Sequence, residues 1–117
     1  MITCSKTFIM ALKDALNVVD GKWKLAIICV LLNGKRRFSD IQKGIPDISP
    51  RMVSKELKEL EMNGVIVRKV TDSIPVLIEY ELTSSGEGLR EVITKMVEWG
   101  IAHREETVKA LTKEIGV

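Results

Sequence analysis

The hydrophobic positions of this chain change period along its length, and the period predicts the elements. Over residues 5–19, Phe8, Leu12, Ala15 and Val19 recur every three or four positions, flanked by Ile9 and Leu16. That spacing predicts an amphipathic helix, which Asp20-Gly21 ends. A second helix is expected over 22–33, apolar nearly all round and therefore central to the core, with Gly34 as its stop. A short third helix, 39–44, starts at Ser39 as a reasonable N-cap, and Pro46 breaks the pattern. Ser49 then caps a fourth helix with Pro50 at its first position, where a missing N–H costs nothing. That helix runs to about residue 63 and stops at Gly64.

The period then switches to two. Residues 65–70 are rich in β-branched side chains. Over 76–82, Ile78, Tyr80 and Leu82 alternate with Glu79 and Glu81. Two strands around a tip at 71–75 make a hairpin, on whose inner face Tyr80 is expected to pack. A long helical region opens at Thr83-Ser84-Ser85, carries Leu89, Val92, Ile93 and Met96 on one face and continues to Ile115, with Gly100 as an expected kink or break. Four helices, a hairpin and a long helix imply an α+β fold, mainly α. It is a winged helix-turn-helix over 22–83, within one domain spanning 1–117.

The fourth helix carries the chemistry. At about 100° per residue, Val53, Leu57 and Leu60 share one face, and Arg51, Ser54, Lys55 and Lys58 lie nearly opposite. Cations on such a face neutralise phosphates and release counterions, and Arg can also pair with a guanine edge. Ser49 and Arg51 sit in the first turn, the end that enters a major groove, where backbone N–H groups favour phosphate. A solvated face with a Lys55–Glu59 pair is the competing reading.

Charge changes the picture only when it is divided. The net charge is +2 over 117 residues. Residues 1–32 carry +2, residues 33–69 carry +4 and residues 70–117 carry −4. The basic segment is therefore the one that holds the predicted helix-turn-helix, and an electrostatic footprint is a local property.

Other functions lack residues to support them. No apolar run approaches the ~18 residues of a membrane helix, and no signal pattern opens the chain, so a cytoplasmic location is expected. Cys4 and Cys29 make no disulfide framework; Cys29, inside the run 25–32, is expected to be a small core residue. His103 is the single histidine, and its i, i+3 spacing to Glu106 is better read as a solvated helix surface than as a metal site. No glycine-rich phosphate loop, cofactor motif or activated serine is visible, so no enzyme is expected.

An ordered set of short motifs resembles the HxlR-type transcriptional regulators, relatives of the MarR-type winged-helix proteins. The motifs are Gly21-Lys22-Trp23, Gly34 with Arg37-Phe38, Ile45-Pro46, Ile48-Ser49 and Arg51-Met52. They continue through 57–61 with Gly64 and Arg68, Pro75, Glu79-Tyr80, Leu82-Thr83 with Gly86, and Trp99-Gly100. The resemblance covers roughly residues 4–100. It implies a homodimer on a pseudo-palindromic operator in double-stranded DNA, with dimerisation helices at 5–19 and 85–115. The apolar faces of those two helices point the same way.

DNA contacts are accordingly expected from Arg36, Arg37, Ser49, Arg51, Ser54, Lys55, Lys58, Arg68 and Lys69. Trp23 is expected to anchor the first two helices in the core, Phe38 to pack under the turn, and Trp99 to lie in core or interface. Some members sense oxidants, electrophiles or aldehydes through a cysteine placed like Cys4, although Ser5 follows it here where proline is common. Lys6 or a helix N-terminus could lower its pKa. A small-molecule or redox effector is therefore a partner to test. The wing departs from the pattern too: Leu77-Ile78 precede Glu79, and Asp72 sits at the tip, so a weak wing contact is expected. The alternative function is a winged-helix protein-interaction module without DNA readout.

Overall fold

The computed structural model describes residues 5–114. The chain divides into two compact units between Glu87 and Gly88. The first unit holds α1 (Lys6–Val19), α2 (Lys24–Leu31), α3 (Phe38–Gly44), α4 (Pro50–Met62), β1 (Ile66–Thr71), β2 (Leu77–Leu82) and α5 (Ser84–Glu87). The second holds α6 (Arg90–Glu114).

Each boundary has a local cause. Ser5 caps α1 by accepting from the Phe8 N–H at 3.3 Å. Ser49 caps α4 in the same way through Met52 N–H at 3.1 Å, with Pro50 at the first helical position. Gly64, at φ +73°, reverses the chain out of α4 into β1, a left-handed conformation that side chains disfavour. The expected cap at Ser39 is displaced: α3 starts at Phe38, and Arg37 is its N-cap with no side-chain bond.

The long C-terminal helical region also differs from expectation. It breaks after Glu87, not at Gly100, and α6 runs unbroken through Gly100. An isolated glycine in a helix costs only about 1 kcal/mol, which 25 residues of helix absorb.

The core of the first unit is built on α2, which packs against α3, α4 and β2. Ile27, Ile28 and Leu31 of α2, Ile41 of α3, Val53, Leu57 and Leu60 of α4, and Ile66 of β1 are all buried. The expectation for Cys29 fails here: it is exposed. At 100° per residue it lies roughly opposite Ile27, Ile28 and Leu31, so the short α2 is one-sided despite its apolar composition. Trp23 is half-buried at the α2 N-cap, with Lys22 Nζ 4.7 Å from its ring centre, and is not a core anchor.

The two strands pair antiparallel in the register Ile66↔Leu82 to Thr71↔Leu77. Arg36 adds a third, one-residue rung by exchanging backbone bonds with Tyr80, at 3.0 and 2.8 Å. Below the hairpin, the Thr83 hydroxyl donates to Gly64 O at 2.7 Å and accepts from Gly86 N–H at 3.2 Å. A Cβ at Gly86 would stand 2.3 Å from Val65 O. The Leu-Thr-x-x-Gly motif therefore locks the end of β2 onto the start of β1.

One charged cluster lies within this apolar unit. The Lys24 ammonium is 2.7 Å from Glu56 Oε2 and 2.5 Å from Glu59 Oε2; the side chains of Lys24 and Glu56 are each 7% exposed and that of Glu59 is 40% exposed. Glu56 Oε2 has no other hydrogen-bond partner. Burial pulls the Lys24 pKa down, but the two carboxylates more than offset this and hold it well above its ordinary 10.5. The bond from Lys24 holds Glu59 below its ordinary 4.5.

Breaking this cluster on one side strands a buried carboxylate. Lys24→Met should cost about 3 kcal/mol in urea unfolding, and Lys24→Met with Glu56→Leu should recover most of it. The raised lysine stabilises at all pH values below its unfolded pKa and is lost only as pH rises through the folded one. The lowered Glu59 stabilises above 4.5 and is lost as pH falls through its folded value. The acid limb of the wild-type stability profile below pH 4.5 should therefore shrink in Lys24→Met.

Candidate nucleic-acid interface

The turn between α3 and α4 is short and internally anchored. Ile45 and Ile48 are buried on either side of Asp47, which takes φ +67° to redirect the chain. Asp tolerates this left-handed region better than most residues. The roll of α4 is then set twice over: Val53, Leu57 and Leu60 are buried, and Glu56 within the same arc is held by Lys24.

That roll turns Arg51, Ser54, Lys55 and Lys58 outward, and all four are exposed. Ser49 is exposed as well. Its oxygen is occupied as the helix cap, and its O–H remains able to donate. Lys55 has only a loose 4.0 Å contact with Glu56 Oε1. Its expected pairing with Glu59 does not form, because Glu59 is taken by Lys24. Arg51 and Lys58 have no ion-pair partner among the described residues. This face of α4 is therefore uncompensated positive charge at the end of a helix-turn-helix.

The cations outside α4 are less uniform. Arg37 is exposed at the start of α3. The Arg36 guanidinium folds back onto its own chain, donating to Lys35 O at 2.8 Å and Asn33 O at 3.4 Å. On the hairpin, Arg68 is exposed opposite Tyr80. Lys69 pairs with Glu81 at 2.7 Å, and Lys35 lies 3.7 Å from Glu79. The bond from Lys69 holds the Glu81 carboxyl below its ordinary range. Tyr80 and Phe38 are both half-buried.

Cys4 lies outside the described residues. His103 stacks on Trp99, with ring centres 4.7 Å apart and planes 9° apart. Trp99 is 68% exposed, so it is not in the core of this chain. Among the described residues no group of three or more His, Cys, Asp or Glu is placed to hold a metal ion, and no helix is long and apolar enough to cross a membrane.

The family model described as HxlR-like helix-turn-helix matches residues 18–108, from the end of α1 into α6. The chain belongs to the HxlR family of helix-turn-helix transcriptional regulators. Among its relatives, the helix-turn-helix-type regulator YtcD of Bacillus subtilis is 37% identical over 98 residues, 84% of this chain and 78% of YtcD. The solved structure of the redox regulator HypR in its reduced form superposes with a TM-score of 0.79 at 33% identity, covering 85% of this chain and 98% of HypR. The reduced form of YodB from B. subtilis gives a TM-score of 0.71 at 34% identity, covering 83% and 91%. HypR is also known in an oxidised form, and YodB in diamide-treated and quinone-bound forms.

In this HxlR-type regulator the sequence pattern located the outward face of α4. It missed the two groups that aim that face. Lys24 shares the inward arc of α2 with Ile27, Ile28 and Leu31, and Glu56 shares the inward arc of α4 with Val53, Leu57 and Leu60. A cation and an anion on two buried arcs were the available signal.

Because the wing cation Lys69 is already paired and Arg51 is not, Lys69→Glu should weaken duplex binding less than Arg51→Glu. Electrophoretic mobility titrations on one duplex at fixed salt would show it, and the reverse ranking would contradict the charge assignment.

Proposed function

We propose that this regulator binds double-stranded DNA as a homodimer, with α4 of each protomer in successive major grooves of a pseudo-palindromic operator. The observation that carries the reading is the uncompensated cationic face of α4, presented outward by a buried counter-face. Arg51 and Ser54 are the candidates for base edges. Ser49, Lys55 and Lys58 are placed for phosphates, with Arg37 and Arg68 flanking. Arg36 contributes through its remaining N–H groups and Lys69 weakly, since each is engaged within the chain.

Dimerisation through 5–19 and 85–115 is supported by the apolar side chains those segments leave uncovered. Phe8, Ile9, Leu12 and Leu16 of α1, and Ile101, Val108 and Leu111 of α6, are exposed and share a face on each helix. Clusters of exposed apolar side chains on monomeric proteins mark interaction sites. A dimer also supplies the two-fold symmetry that an operator palindrome mirrors. The whole chain 1–117 then acts as one DNA-binding unit in the cytoplasm, with no catalytic role.

Duplex binding should fall steeply with salt, with a slope on a log–log plot of roughly −0.9 per neutralised phosphate. Arg51→Ala should cost about 1–3 kcal/mol and relax specificity at one base position. Binding that is insensitive to salt, or undetectable on any duplex at low salt, would instead favour a protein-interaction module.

Cys4 is the proposed sensor, supported by the redox forms in which HypR and YodB are known. Diamide or a quinone should reduce DNA binding by the wild type and leave Cys4→Ser unaffected, measured by fluorescence anisotropy. Identical responses in the two proteins would remove Cys4 from the mechanism.

A further inference from the structure

At about 100° per residue, Glu59 stands on α4 between the buried Glu56 and the basic face at Lys55. Two cations can therefore claim its carboxylate. One is Lys55, four residues earlier on the same helix surface. The other is Lys24 of α2, which approaches from inside the core. Lys24 holds it: its ammonium is 2.5 Å from Glu59 Oε2, and Lys55 is left with a 4.0 Å contact to Glu56 Oε1. This outcome has a physical cause. A lysine placed before a glutamate at i, i+4 is the weaker order of that pair, and water screens it. The Lys24 ammonium is only 7% exposed, so its need for carboxylates is stronger; Glu56 lies 2.7 Å away and Asp20 a looser 3.7 Å. The Lys55 side chain stays 62% exposed.

We propose that Lys24, buried where no duplex can reach it, is a positioning residue for DNA binding: by keeping Glu59 off Lys55, it leaves the Lys55 ammonium free for a phosphate. Without Lys24, the Glu59 side chain turns toward Lys55, and its negative charge then faces the duplex beside the cation it screens. A carboxylate about 6 Å from a phosphate contact, in water, changes binding about threefold. The effect on DNA rests on the DNA-binding reading of α4; the competition between the two lysines for Glu59 does not.

The test compares the full chain with Lys24→Met/Glu56→Leu, an exchange that removes one cation and one anion and leaves the net charge at +2. Each background is measured with and without Glu59→Gln, by fluorescence anisotropy on one mixed-sequence duplex at fixed low salt. In the wild type, Glu59→Gln should change affinity little, since Lys24 already neutralises that carboxylate. In the exchanged background it should tighten binding about threefold more, a gain that misfolding cannot mimic. Lys55→Gln should erase the difference between the two backgrounds. An equal effect of Glu59→Gln in both, or a difference that survives Lys55→Gln, would overturn the proposal. A second arm needs no DNA and follows the Glu59 carboxyl by NMR titration. In the wild type the Lys24 bond holds that carboxyl below its ordinary 4.5. Lys55→Gln should therefore raise its pKa less there than in the exchanged background, and an equal rise in both overturns the competition for Glu59. Failure of the wild type to bind any duplex overturns the DNA reading, and the titration then decides the competition by itself.

Discussion

Lys24 reaches from the first turn of α2 into two carboxylates of α4, and the orientation of α4 depends on that reach. Apolar packing alone would leave the helix some freedom to roll, because Val53, Leu57 and Leu60 can meet α2 through several small rotations. A buried ammonium at 2.7 Å from a buried carboxylate has far less tolerance. Either charge without the other is strongly unfavourable in that setting. The ion pair therefore adds little net stability over a hydrophobic pair of the same shape, and its value lies in selecting one roll of α4.

The consequence appears on the opposite side of the helix. With Glu56 held inward and Glu59 drawn to Lys24, α4 has two fewer carboxylates to screen its cations. Arg51 and Lys58 stand without partners, and Lys55 keeps only a loose contact. The hairpin shows the reverse arrangement, with Lys69 and Lys35 matched by Glu81 and Glu79. Positive charge is thus concentrated on one helix face within a chain whose net charge is only +2. Ser49, Pro50 and the Asp47 turn place the start of that helix, and the Arg36–Tyr80 rung holds the hairpin against the same unit.

Much of this was legible in the sequence. Element order, the Ser49-Pro50 start of α4, the Gly64 stop and the outward basic stripe all follow from spacing and capping chemistry. Those rules are local, which is why they worked. The departures have tertiary or borderline causes. The eight-residue apolar run around Cys29 hides which side faces inward, so it predicts a core cysteine where the fold exposes one. A break at Gly100 does not occur, because a long helix tolerates one glycine, and the chain breaks at 88–89 instead. The i, i+4 spacing predicts a Lys55–Glu59 pair, and a distant lysine outcompetes it. The Lys24 cluster and the Arg36–Tyr80 rung join residues far apart in sequence, and no periodicity reveals them. Gly86, by contrast, was visible as part of a motif, and the reason for it became plain only beside the Val65 carbonyl.

In the proposed function, two copies of α4 read DNA from a fixed roll. Selection of bound sequences from a random duplex pool tests it most directly. Enrichment of a pseudo-palindrome whose half-site centres lie about 10 bp or a multiple of it apart is expected. A pool that shows no enrichment, or one that converges on a single site without two-fold symmetry, would contradict it.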